Sequence, residues 1–358
     1  MKSVTVYYNR CEHTSRILTG FFLLAKQKKI TLQAIENKGN FRGISLQNLQ
    51  AEVDGKLIAF DLGDRWWLAH EDGCRYLNHV DAYFARGYTR NPTMRKASSE
   101  PNMQKVFPLG FDYYATFPGN PMDVNKSASI RLSAIVKKLS GYDKCMFVPY
   151  FEEKANYKSS DMKIIFMTRL WDPDEVNPNE PGISEDIAEY RKYMIEERHY
   201  INRERIRIVK ELQKQYGEQF FGGIYQNEVA KKLCPELILD HSDVRKKAYL
   251  DRMKQSDICI GSMGLHQSTG WKTGEYIAAA RAIVAEKLVY EVPGNFEEEK
   301  NYIPFSSSEE CMEAVERLYH DPEAIYRMKL ANEQYYQQYL RPEQQITNAL
   351  RQAGIVLE

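Results

Sequence analysis

Residues 256–286 read SDICIGSMGLHQSTGWKTGEYIAAARAIVAE, and their residue types run in the order strand, loop, helix, strand. DICIG is a short apolar run, and SMGLHQST is a polar, glycine-containing loop. GWKTGEYIAAARA is a helix of small and apolar residues, and AIVAE is apolar again. Two strands joined through a helix cannot close as a hairpin; the crossover makes them parallel neighbours. The same order opens the chain: VTVYYN (residues 4–9), a loop RCEHTS, the apolar-periodic RILTGFFLLAKQKK (16–29), then KITLQAI.

Working outward, DGKLIAFDL (54–62), DAYFARGY (81–88) and QKVFPLGF (104–111) read as further short strands. The pattern weakens between about residues 122 and 161, where RLSAIVKKL is helix-like and the polar stretch after Pro149 reads as a hinge. Alternation restarts with the strand KIIFMTRL (163–170) and the loop WDPDEVNPNEPG, followed by a long charged helix within 187–216. FFGGIY and CPELILD read as strands, VRKKAYLDRMKQ as a helix, and three helices close the chain. This order predicts an α/β protein of two Rossmann-like, doubly wound domains facing across a cleft. The expected division is 1–155, 156–340, and a last helix at 341–358 packing back on the N-terminal domain.

The 358 residues exceed what one core usually serves, and 49 basic residues balance 49 acidic ones. A nucleic-acid partner normally demands a basic excess, so none is expected. The six cysteines form no CxxC pair and no Cys/His cluster, so no metal site is expected. No signal peptide opens the chain, and no window approaches the ~20 apolar residues of a membrane span. The expected location is the cytoplasm, with reduced thiols. Asp172-Pro173-Asp174 spells a DxD, but in a proline-rich loop it reads as a surface turn.

The chemistry is expected in the loop and helix of residues 256–286. In an open α/β sheet, ligands sit at the carboxyl ends of the strands. Ser268 or Thr269 is placed to cap the next helix, whose N-terminal amides then face the loop. Such a terminus suits a phosphate. Gly264 and Gly270 allow close backbone approach. His266 lies in the same loop, Lys272 adds a cation in the first turn, and Glu275 places a carboxylate near the second, where it would accept from a ribose diol. Together these describe a nucleoside-diphosphate site, although many capped helices after buried strands carry no ligand.

Residues 267–275, Gln-Ser-Thr-Gly-Trp-Lys-Thr-Gly-Glu, resemble a motif of the retaining GT-B glycosyltransferases that use nucleotide sugars (group 1, family 4-like). That family carries two Glu separated by seven residues, with Gly in the connecting turn. Glu275 matches the second, followed by the small-residue run YIAAA and the strand AIVAE; Gln267 replaces the first, which in the family lies near the transferred sugar. The family's first C-terminal strand ends in a Gly-Arg-Leu type turn whose Arg contacts the diphosphate. Arg169 in KIIFMTRLWDP resembles it, although the usual Lys a few residues later is missing, and a surface salt bridge accounts for Arg169 equally well. The tail from Asn301 to Tyr336 is similar to the family's strand-helix-helix ending. The resemblance spans roughly 163–345. It implies a metal-independent glycosyltransferase without a cofactor, taking a nucleoside-diphosphate sugar and a glycan, lipid-linked or other acceptor, by analogy in bacterial surface glycan synthesis. A non-catalytic sugar- or nucleotide-binding protein and a sugar-nucleotide epimerase are the rivals.

In the N-terminal half, NRCEHTS after the first strand offers His13 as a base titrating near neutrality, and FDLGDRWW offers Asp64. A plain loop histidine and a turn-forming aspartate explain them as well. Residues 21–29, FFLLAKQKK, would meet a membrane surface if the acceptor were lipid-linked, but a buried helix with a solvated lysine end is the favoured reading.

Overall fold

The computed structural model describes residues 1–37, 48–66, 68, 71–91, 102–118, 120, 142–175 and 187–357. The helix-like RLSAIVKKL and Trp67 lie outside them. The chain forms two compact units: Met1–Glu152 with Val289–Asn295 and Tyr335–Glu358, and Glu153–Leu288 with Phe296–Gln334. Each carries its own β-sheet, so the molecule is α/β with two Rossmann-like units. Among the described residues no helix is long and apolar enough to cross a membrane.

The first sheet holds β1 (Lys2–Tyr8), β2 (Ile30–Glu36), β3 (Asn48–Val53), β4 (Lys56–Asp61), β5 (Ala82–Ala85) and β6 (Val106–Pro108) in the order β2-β1-β3-β4-β5-β6. Helix α1 (Ser15–Lys26) crosses from β1 to its parallel neighbour β2, as the opening sequence predicts. The sheet is nevertheless mixed. Strand β3, absent from the sequence reading, runs antiparallel to both β1 and β4. The cause is the dipeptide Asp54-Gly55, with φ of 52° and 76°. Two central residues at positive φ make the hairpin turn whose twist matches its flanking strands.

Two short helices follow, α2 (Glu71–Leu77) and α3 (Val148–Phe151). The core of this unit joins Val4, Val6, Leu49 and Phe60 of the sheet to Ile17, Phe21 and Leu24 of α1. It also takes in Ile346 and Leu350 from the last helix of the chain, Pro342–Gln352. That helix lies so close to α1 that a Cβ on Gly20 would stand 2.5 Å from the Pro342 carbonyl oxygen. Phe21 and Leu24 of FFLLAKQKK are therefore spent on the core, each burial contributing about 1.5–3 kcal/mol.

The second sheet is wholly parallel: β7 (Ile164–Thr168), β8 (Phe220–Ile224), β9 (Ile258–Gly261), β10 (Ala282–Glu286) and β11 (Ile303–Phe305), in the order β11-β10-β9-β7-β8. CPELILD contributes only a 3-10 turn at Pro235–Leu237 and one parallel bridge from Ile238 to Ile224. Helices α4 (Ile187–Tyr216), α5 (Glu228–Leu233), α6 (Lys246–Gln255), α7 (Trp271–Ala278), α8 (Ser308–Tyr319) and α9 (Pro322–Tyr335) connect and cover the strands, and Pro342–Gln352 is α10. On α4, Met194, Arg198, Asn202, Arg205, Val209 and Leu212 are buried, a helical stripe that turns an otherwise charged helix onto the sheet. From β7 the chain first adds β8 on one side and then β9, β10 and β11 on the other. The order thus reverses between β7 and β9, the topological switch point where open α/β sheets bind ligands.

Candidate functional site

The chain leaves β7 through Arg169, Leu170 and Trp171. Asn202 of α4 grips Trp171 at both backbone polar groups, accepting from its N–H at 2.8 Å and donating to its carbonyl at 2.7 Å. The indole so fixed lies against the exposed Arg169, whose guanidinium carbon is 3.6 Å from the ring centroid. A stacked arginine at the end of β7 is presented to solvent with little freedom to swing away.

One helical turn further along α4, the buried Arg205 fastens the two loops of the switch point together. It donates to the Arg169 carbonyl at 2.6 Å, to the Met263 carbonyl at 2.7 Å and to Ser262 Oγ at 3.1 Å. Burial brings its pKa down to about 10, partly offset by Glu286, so it stays charged at neutral pH. Glu286, at the end of β10, accepts from the Met263 N–H at 2.6 Å, and its own burial pushes its carboxyl pKa up. Neither Arg205 nor Glu286 figures among the sequence candidates.

The loop after β9 is short and strained. Gly264 N–H donates to the Ser268 carbonyl at 2.8 Å, and His266 and Gln267 both adopt left-handed backbone with φ of 58° and 56°. That conformation costs about 1–2 kcal/mol per residue outside glycine. The His266 ring stacks near Tyr190 and Tyr193 of α4, with centroids 6.3 and 6.5 Å away, while Gln267 is exposed. A Cβ on Gly264 would meet Ser268 Oγ at 2.6 Å and one on Gly270 the Ser262 carbonyl oxygen at 3.0 Å. Both glycines therefore serve the folding of the loop upon itself.

Two expectations need correction. The N-cap of α7 is neither Ser268 nor Thr269, both buried, but Gly270, which has no side chain to accept from the first turn. Glu275 is not an open acceptor for a ribose. Its residue is 1% exposed, because α7 is buried from Thr273 onward, and Lys246 of α6 donates to its Oε1. The buried Tyr249 hydroxyl lies beside the same carboxylate; burial first, and then that charge, raise the Tyr249 pKa. Lys272 is where the sequence places it, half-buried in the first turn, donating to Tyr225 Oη at 2.8 Å with its ammonium 4.0 Å from the Tyr249 ring centroid. The structure thus gathers Arg169, Gly264, His266, Gln267, Lys272 and the start of α7 on the carboxyl edge of one sheet, and adds Lys246.

In the first unit, β1 and β4 run in the same direction, because β3 is antiparallel to each. The loops carrying His13 and Asp64 accordingly leave the same edge. His13 Nδ1 stands 3.9 Å from Asp112 Oδ2, and Asp112 is held at its other oxygen by the buried Arg16 at 2.9 Å. Asp64 is paired with the buried Arg86 at 2.6 Å, which engages the carboxylate proposed as a base. Asp172 and Asp174 form a turn, the Asp174 N–H donating to Asp172 Oδ1 at 3.0 Å.

No family model matches the chain, and no curated protein matches it either. Among solved structures, an S. aureus MnaA–UDP co-structure is 11% identical, covers 99% of this chain and 98% of its own, and superposes with a TM-score of 0.47. A UDP-GlcNAc 2-epimerase from Neisseria meningitidis bound to UDP-GlcNAc is 13% identical over 98% of this chain and 100% of its own, with a TM-score of 0.44. The C-terminal domain of the glycosyl transferase group 1 family protein LpcC from Francisella tularensis is 12% identical over 53% of this chain and 95% of its own, at 0.33.

Proposed function

We propose that this protein is a GT-B-type glycosyltransferase whose second unit binds a nucleoside-diphosphate sugar. One observation carries the reading: the two loops at the switch point of the parallel sheet are fastened together by Arg205 and present Arg169 and the start of α7 side by side. Arg169, Lys272 and Lys246 are the cations for the diphosphate, and the first turn of α7 adds backbone amides. Glu275, behind Lys246, orients that ammonium. The first unit takes the acceptor, with His13 beside Asp112 as the base. In the transfer, the acceptor oxygen bonds to the anomeric carbon, the bond to the diphosphate oxygen breaks, and the cations take up the leaving charge.

The test is a thermal-shift screen with UDP, GDP, CMP and dTDP. One nucleotide should stabilise the protein selectively, by about 2.7 kcal/mol at a hundredfold excess over its Kd. Arg169→Ala and Lys272→Ala should each abolish most of the shift. Full shifts in both variants, or no shift with any nucleotide, would discard the reading.

Glu286 favours a second reading. A half-buried carboxyl of raised pKa at the carboxyl edge of the sheet is the kind of acid a sugar-nucleotide epimerase requires. Incubating labelled nucleotide sugar without acceptor separates the two, because an epimerase then returns the isomeric nucleotide sugar.

A further inference from the structure

The stripe of α4 that builds the switch point contains one more cation, Arg198, two of whose nitrogens have no hydrogen-bond partner among the described residues. Arg198 lies four residues before Asn202 and seven before Arg205, so the three share one face of the helix. Asn202 holds the loop after β7, and Arg205 holds that loop and the one after β9. Tyr190 and Tyr193, about one to two turns earlier on α4, flank His266 of the second loop. Arg198 is therefore bracketed along α4 by residues that touch these two loops. It is only 7% exposed, yet its Nε and Nη1 are buried with no hydrogen-bond partner among the described residues. Burying a charge without a partner is costly, and a bound anion would offset that cost.

We propose that Arg198 is a buried anion-binding residue that takes a phosphoryl oxygen at the ends of β7 and β9. The nature of the anion rests on the nucleotide-sugar reading above; the place of Arg198 rests on the geometry of α4. Arg169 is stacked at the end of β7 and Arg198 is buried on α4, so an exposed and a buried cation would share the diphosphate. The planar fork of Arg198 supplies direction as well as charge. This places a specificity element on a helix outside the loop motif, selecting diphosphates over monophosphates.

The test is calorimetric titration of the full chain with inorganic pyrophosphate, for the wild type, Arg198→Met and Arg198→Lys, together with melting curves without ligand. Pyrophosphate should bind the wild type, and Arg198→Met should weaken it by about tenfold or more. The ligand-free melting temperature of that variant should equal or exceed the wild type, because an unpaired buried charge has been removed. An arginine with a merely structural role would behave in the opposite way, melting lower with affinity unchanged, and that result overturns the proposal. If Arg198→Met melts low and also binds weakly, Arg198→Lys decides: weakened binding at wild-type melting temperature supports the proposal, and wild-type affinity overturns it. Wild-type protein that ignores pyrophosphate also overturns it. A nucleotide shift that survives Arg198→Met removes Arg198 while leaving the proposed function standing.

Discussion

Arg205 donates from Nη1 to the carbonyl oxygen of Arg169 at 2.6 Å, so a buried cation on α4 fixes the backbone of an exposed cation at the end of β7. The same guanidinium reaches the Met263 carbonyl and Ser262 Oγ, which joins two loops that are far apart in sequence.

Replacing that staple should be expensive. Arg205→Met leaves two carbonyl oxygens and a hydroxyl without their donor and Glu286 without its nearby cation. A loss of about 3 kcal/mol is expected in urea unfolding, with nucleotide affinity falling in step. A loss below about 1 kcal/mol with unchanged affinity would show that the loops hold themselves.

Lys246 and Glu275 should separate into ligand and support. Lys246→Ala should weaken nucleotide binding by about tenfold, the effect of losing one charge-assisted hydrogen bond. Glu275→Gln should cost about 1–3 kcal/mol of stability, because the buried carboxylate position loses its pairing with the ammonium. Thermal melts and titrations on both variants check this. A Glu275→Gln protein of wild-type stability that no longer binds nucleotide would restore Glu275 as a direct ligand contact.

Glu286 sets a pH dependence. Burial raises its carboxyl above the ordinary value of 4.5. Between the unfolded and the raised folded pKa, the native state holds more protons, so stability falls as pH rises through that window. Glu286→Gln keeps an acceptor for the Met263 N–H and removes the titration. Denaturation at several pH values should show the wild type losing ground to the variant as pH climbs from about 4.5 to 7. A difference that stays flat, or moves the other way, contradicts the burial of an ionisable group there.

Gly55 tests the hairpin. Its φ of +76° lies in the left-handed region, and a Cβ added there would meet nothing within 4 Å, so space is no obstacle and backbone strain alone is at stake. Gly55→Ala should therefore cost about 1 kcal/mol, and Gly55→Asn less, because asparagine tolerates that conformation. Equal stabilities for the two variants would argue against the turn type.

Much of the candidate site is legible in local sequence. The strand-loop-helix order of residues 256–286, Arg169 at a strand end and Lys272 in a first turn all appear where the periodicity places them. The β3–β4 hairpin carries a local signal, Asp-Gly between NLQAEV and KLIAFD, although β3 is not among the expected strands, which place that Asp-Gly at the start of DGKLIAFDL. Ser268 and Thr269 mislead because capping residues and a glycine stand together, and the glycine takes the cap. The burial of Glu275 has no local signal, because Lys246 comes from α6, 29 residues away. Arg198 and Arg205 sit in a helix so rich in charge that its buried stripe is masked.

The sequence by itself determined the alternation of strands and helices and the parallel second sheet, because periodicity and crossover length are properties of neighbouring residues. Tertiary structure alone decided which charges are exposed and which are buried. Arg169, Arg198 and Arg205 are the same residue type within 37 positions. One stacks in the open, one is buried with Nε and Nη1 unpartnered among the described residues, and one donates to two carbonyls and a hydroxyl. Desolvation and hydrogen-bond partners depend on what packs against a side chain, and that is set by segments distant along the chain.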